Sequence, residues 1–263
     1  MFSDIILKKR FDKALKCWEN NEYDKAVEIF NDLVEKDYDL LNTYFNLGLI
    51  YYDKKDYEKS IIFFDKVLNI DSDYVKAIVS KAISFYKLNQ YKESLKLFDN
   101  ALRLFDGDFE LFYNKGLVLV GMNQLEDALL SINKSLKLRP DNFLALLNKG
   151  NILFLLNKFN ESLEYYDKCL KISPNYSNLF GNKAMSLYYL KRYDEALNCV
   201  NTGLEINSDN DNLYYIKVIV LGGIGDYDSA LISFDKGFKI NPNNTKYIKE
   251  AEKILSYLKD INS

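Results

Sequence analysis

The stretch Asn148-Lys149-Gly150-Asn151-Ile152-Leu153-Phe154, NKGNILF, lies inside the apolar run LALLNKGNILFLLNKF. Read by itself, a glycine beside a lysine suggests a phosphate-gripping loop, and Asn-x-Gly suggests a turn between strands. The rest of the chain decides. Asn-Lys-Gly recurs at Asn114-Lys115-Gly116 and Asn-Lys-Ala at Asn182-Lys183-Ala184, 34 residues away in each direction. Extended without a gap, this register gives a column of small residues at Ala14, Gly48, Ala82, Gly116, Gly150 and Ala184, broken at Val218. A second small column runs Ala26, Ser60, Ser94, Ala128, Ser162, Ala196 and Ala230. Large residues hold two more: Tyr23, Tyr57, Tyr91, Leu125, Phe159, Tyr193, Tyr227, and Phe30, Phe64, Phe98, Ile132, Tyr166, Val200, Phe234. Pro140, Pro174 and Pro242 share one position.

Each column has a physical reason. In residues 143–176, Leu146, Gly150 and Leu153, then Phe159, Ser162, Leu163, Tyr166 and Leu170, follow helical spacing on two successive segments. The unit is therefore a helical hairpin. Small residues let two helix axes approach, and Tyr and Phe fill the grooves between neighbouring hairpins. Asn21, Asn89, Asn123, Asn157 and Gly225 share the position between the helices, where Asn or Gly takes the left-handed conformation that ends a helix; Lys55 and Lys191 stand there too. Asp71-Ser72-Asp73, Pro140-Asp141, Pro174-Asn175, Asn207-Ser208-Asp209 and Pro242-Asn243 mark unit boundaries, stopping one helix and capping the next.

This order of aromatic, Gly/Ala, Tyr, Ala, Phe and Pro on a 34-residue period resembles the tetratricopeptide repeat. The resemblance implies an all-α fold: a right-handed superhelical solenoid of helix-turn-helix repeats, first helices lining a concave groove and second helices on the convex side. The expected units are 7–40, 41–74, 75–108, 109–142, 143–176, 177–210 and 211–244 within a single domain over 1–263. The first unit departs most, with Arg10 in place of an aromatic and Tyr38 in place of Pro. A capping helix is expected over about 245–261, since Tyr247, Ala251, Ile254, Leu255, Leu258 and Ile261 make one apolar stripe.

Composition narrows the function. The 263 residues are 48% apolar and 15% aromatic, ample for a large core. A net charge of -3 offers no global field for nucleic acid or an anionic membrane, and neither is expected as a partner. Histidine is absent, which removes the commonest general base, the usual Ser and Cys triads and His-based metal sites. Neither catalytic residues nor a cofactor or metal is expected, and the chain reads as no enzyme. Cys17, Cys169 and Cys199 form no CxxC pair and lie in apolar helical contexts, consistent with free thiols; with no signal peptide or membrane-span pattern, a cytoplasmic location is expected. Leu221-Gly222-Gly223-Ile224-Gly225 follows a helix and lacks the GxxxxGK[ST] run, so it reads as a hairpin turn.

The informative positions are those the family register turns toward the groove. One column reads Asp12, Asn46, Ser80, Asn114, Asn148, Asn182 and Ile216. A side-chain amide bonds both the N–H and the C=O of a peptide unit, so repeated amides track an extended chain whatever its sequence. The resemblance assigns that role to Asn46, Asn114, Asn148 and Asn182, with Asn151 beside them; the alternative is that these Asn only order neighbouring helices. Tyr52, Tyr86, Tyr113, Phe154, Tyr188 and Tyr215 complete the candidate groove, among further apolar neighbours that include Met185 and Tyr189. The carboxylate clamp of chaperone adaptors is not expected. Its register gives Leu147, Asn151, Asn182, Asn212 and Ile216, with both Asn present and all three cations missing. The expected ligand is an extended protein or peptide segment, largely neutral or apolar, held by a scaffold. Self-assembly, or action as a targeting domain beside a separate enzyme, is the alternative.

One column has no counterpart in the family pattern: Lys81, Lys115, Lys149, Lys183 and Lys217. Five buried amines need partners. The expectation is that their stems pack between hairpins and their amines reach Asp65, Asp99, Asn133, Asp167 and Asn201 on the second helices; the alternative is a cationic stripe in the groove for an acidic partner.

Overall fold

The computed structural model describes residues 2–245 and Lys249, so the expected capping helix over about 245–261 lies outside the described residues. Among the described residues there are fourteen α-helices and no strand. Contacts divide the chain into two compact units, 1–139 and 140–263, at the Pro140 boundary.

Residues 1–139 hold α1 (Phe2–Glu19), α2 (Tyr23–Glu35), α3 (Leu40–Asp53), α4 (Tyr57–Ile70), α5 (Val75–Lys87), α6 (Tyr91–Leu104), α7 (Phe109–Gly121) and α8 (Leu125–Leu138). Each packs on the next, and the first helices α3, α5 and α7 also touch in succession. Residues 140–263 hold α9 (Phe143–Leu155), α10 (Phe159–Ile172), α11 (Ser177–Tyr189), α12 (Tyr193–Ile206), α13 (Asp211–Ile224) and α14 (Tyr227–Ile240), again packed in order, with α11 on α13. Taken in order the helices pair as hairpins, and α1 begins at Phe2, ahead of residue 7.

The small columns sit at helix crossings. A methyl added to Gly48 meets the Phe64 ring at 2.5 Å, one on Gly116 meets Ile132 at 2.7 Å, and one on Gly150 meets Tyr166 at 2.6 Å. Phe64, Ile132 and Tyr166 are themselves buried, so the glycines set how closely the two helices of a hairpin approach. Two serine pairs add buried polar ties. Ser60 and Ser84 hydroxyl oxygens lie 3.0 Å apart, and Ser162 and Ser186 lie 2.8 Å apart. Burial without a partner costs each hydroxyl free energy, so the pairs fix registry between hairpins.

Asn21, Asn89, Asn123 and Asn157 have φ of 58–60°, and Gly225 has φ 90°, all left-handed as expected; Lys55 (φ 63°) and Lys191 (φ 59°) adopt the same conformation. Boundary capping is more uneven than the sequence suggested. Asn142 and Asn210 do cap, accepting from the N–H of Ala145 and Leu213. At α5 and α11 the cap position is instead Tyr74 and Tyr176, with no side-chain bond. Asp71 is spent within the turn, accepting from the N–H of Asp73 at 3.0 Å.

Four of the five lysines follow the expected pairing, and Lys149 departs from it, turning to an aromatic ring instead of Asn133. Lys81 bonds Asp65, Lys115 bonds Asp99 at 2.6 Å, Lys183 bonds Asp167 at 2.6 Å, and Lys217 bonds Asn201 at 2.7 Å. Lys149 lies over the ring of Tyr165, 4.2 Å from its centroid. Each amine sits on a seam between a first helix and a second helix.

Candidate functional site

In residues 140–263 the first helices frame a cleft of about 420 Å³. Asn151, Phe154 and Leu155 line it from α9, Asn182, Met185 and Tyr189 from α11, and Tyr166 from α10. The spacings of three, four and seven residues put each set on one helix face. The Asn151 Oδ1 accepts from the Tyr166 hydroxyl at 3.0 Å and from the Asn182 Nδ2 at 3.2 Å, tying the two first helices through one amide. Burial pushes the Tyr166 phenol well above its ordinary value, so it is a neutral donor. The Asn151 amide carries two further N–H donors at the cleft.

The apolar wall is aromatic and open. Tyr189 stacks on Phe159 at 4.9 Å, 7° from parallel, and meets Phe154 edge-on at 5.6 Å. Leu155 and Tyr189 remain 53% and 52% exposed, which makes this an apolar surface rather than a closed core. Among the described residues, no charged side chain lines the cleft.

Residues 1–139 carry a smaller cleft, about 280 Å³, across α3, α5 and α7, lined by Tyr52, Ile83, Tyr86, Lys87, Asn114, Leu117 and Val118, with Phe98 behind. Tyr52 packs on Tyr57 at 5.4 Å and Tyr86 on Tyr91 at 5.8 Å. Partial burial raises both phenol pKa values, Tyr52 and Tyr86 alike.

The sequence-derived residues thus divide. Asn151, Phe154 and Asn182 come together in one cleft, and Tyr52, Tyr86 and Asn114 in the other. Asn46 and Asn148 are half-buried, and each gives its Nδ2 to a carbonyl of its own helix, Asn42 at 2.8 Å and Leu144 at 2.9 Å. The four amides are therefore not equivalent, because two spend a donor on the preceding turn. Tyr188 and Tyr215 pack against the core of residues 140–263, which holds Ala184, Leu187 and Leu213, and Tyr113 is half-buried on α7. Leu155 and Tyr166 were missed. Tyr166 stands in a column otherwise filled by Phe, Ile and Val, and its hydroxyl was the available signal.

Among the described residues, no group of three acidic, Cys or His side chains is placed to hold a metal ion, and no helix is long and apolar enough to cross a membrane. Cys17, Cys169 and Cys199 are unpaired thiols, and burial pushes Cys169 up to about 11. Fold and clefts together define an α-helical repeat scaffold, a succession of packed helical hairpins in each of the two units. The chain belongs to the tetratricopeptide repeat family, whose models match residues 41–74, 109–142, 143–176 and 177–210, about half of its length. Proteins of this family generally mediate protein–protein interaction.

No curated protein matches the chain. Among solved structures it is similar to YrrB, described as a TPR protein with an unusual peptide-binding site, at 24% identity and TM-score 0.61, covering 73% of this chain and 98% of that one. A tetratricopeptide repeat protein from Parabacteroides merdae matches at 15% identity and TM-score 0.73, covering 95% and 98%. The Cut9–Hcn1 hetero-tetramer of the APC/C matches at 19% and TM-score 0.70, covering 92% of this chain and 48% of that one. At these identities the likeness concerns the fold.

Proposed function

We propose that the chain is a non-enzymatic adaptor that holds an extended, largely neutral or apolar protein segment on its first-helix face. The cleft at Asn151 and Asn182 is the main anchor. One observation carries the reading: an open aromatic and aliphatic pocket stands beside a fixed amide pair with donors to spare. The apolar walls take a side chain, and the amides take the peptide backbone next to it. With no cation lining the pocket, a terminal carboxylate has no charged partner there, and the chaperone type of ligand is disfavoured. YrrB, by its description a peptide binder, shares the fold, which supports the reading at the level of scaffold. Three unpaired thiols fit a reducing compartment such as the cytoplasm.

A displayed peptide library selected on the intact protein tests this. The expected winners carry an aromatic or long aliphatic residue, without an essential acidic terminus. Asn182→Ala and Tyr189→Ser are each expected to weaken the selected peptide about tenfold, in line with about 1–2 kcal/mol for a hot-spot contact. Failure to select any peptide, or binding by both variants as tight as that of the unaltered protein, would remove the proposal. A protein that proves to be a stable oligomer closed over this face would instead favour self-assembly.

A further inference from the structure

A second cleft in residues 140–263, about 270 Å³, lies in the seam of α12, α13 and α14, with Asn201, Tyr214, Lys217, Ser229 and Lys236 among its lining residues. Residues 1–139 hold its counterpart in the seam of α6, α7 and α8, and every lining position corresponds, three repeats earlier. The charges do not correspond. In the counterpart, Lys115 is paired with Asp99 at 2.6 Å, and Asp127 and Lys134 line the same cleft. In the later cleft both lysines persist, as Lys217 and Lys236, but Asn201 stands for Asp99 and Ser229 for Asp127.

The repeat register makes this contrast sharp. Lys81 has Asp65 and Glu93 at the two acidic positions, Lys183 has Asp167 and Glu195, and Lys149 keeps Glu161. Lys217 alone in its column has neutral residues at both. Its amine donates to the Asn201 Oδ1 at 2.7 Å, a hydrogen bond to a neutral amide that brings no counter-charge, and among the described residues no ion pair is formed by it. Burial, then the neighbouring Lys236 ammonium, push the Lys217 pKa down, as expected of a cation short of counter-charge. One acid is gained, Asp226 where the counterpart has Gln124, but it is exposed, and its carboxylate caps α14 by accepting from the Ser229 N–H at 3.1 Å.

We infer that this cleft takes a compact oxyanion, a carboxylate or a phosphoryl group, between the Lys217 and Lys236 ammonium groups, with the Ser229 and Tyr214 hydroxyls as further donors. The anion supplies the charge that Asp99 supplies to Lys115. Nothing in this depends on the first-helix face.

The test is a titration of the intact protein with inorganic phosphate and, separately, with acetate, at constant ionic strength, followed by NMR of its labelled lysine side chains. Saturable shifts of the Lys217 and Lys236 signals are expected; phosphate alone identifies a phosphoryl ligand, and acetate identifies a carboxylate. Asn201→Asp restores the internal partner and is expected to weaken binding at least tenfold with an unchanged or higher thermal midpoint; Lys217→Gln is expected to abolish it. Shifts that rise without saturation for both anions, or undiminished binding by Asn201→Asp, would overturn the assignment. Should Lys217→Gln fail to fold, Asn201→Asp still decides.

Discussion

Gly150 links the packing of its hairpin to the candidate site. Its missing side chain lets Tyr166 lie against α9, and Tyr166 in turn holds Asn151. A methyl there would meet the ring at 2.6 Å, and Tyr166 is buried, so the ring has to shift. Gly→Ala gains about 1 kcal/mol of helix propensity, but overpacking costs about 1–3 kcal/mol. Gly150→Ala is therefore expected to destabilise by about 1 kcal/mol, read as a lower urea midpoint. Parts of this arrangement were legible beforehand. The glycine stood out by its column, and the lysine pairs followed because one column faced another at a constant offset. The tie between Asn151, Tyr166 and Asn182 was not. Asn151 and Asn182 belong to different columns, 31 residues apart, and column reasoning had assigned Tyr166 to packing.

At the scale of elements, the hairpin turn is the most uniform feature and shows where the chain departs from its own rule. Four turns use Asn and one uses Gly at the left-handed position, where Lys55 and Lys191 have a β-carbon and no short amide to compensate. Relief of about 1–2 kcal/mol of left-handed strain exceeds the added unfolded-state entropy of glycine, about 0.4–1 kcal/mol. Lys191→Gly is expected to stabilise by about 0.5–1 kcal/mol, seen as a raised thermal midpoint; a lowered one would contradict the strain argument. The turns were legible from the Asn column. The uncapped starts of α5 and α11 were not, since Asp71 was equally able to cap a helix or to close a turn, and only the backbone geometry chooses.

For the whole molecule, the absence of histidine predicts a flat stability profile around neutrality. Hydrogen bonds from Lys36, Arg192 and Ser229 lower the pKa values of Asp32, Glu195 and Asp226. The unfolded chain then binds more protons in acid, so their contribution is present above the ordinary carboxylate range and is lost as pH falls through the folded values. Burial raises Cys169 from 9.0 to about 11, so its contribution is full below the unfolded value and is lost as pH rises toward the folded one. Unfolding free energy is expected to be level from about pH 5 to 8.5 and to fall on either side, checked by denaturant titrations across pH. The scaffold itself was legible because seven ungapped repeats leave little freedom in the hairpins.

Methionine methyl NMR gives the most direct check of the binding proposal. The chain has three methionines; Met185 lines the Asn151–Asn182 cleft, and Met122 packs against a core cluster in residues 1–139. On addition of the selected peptide, the Met185 signal is expected to shift and saturate while that of Met122 stays in place. A bound peptide that leaves Met185 unmoved would contradict the assignment of this face.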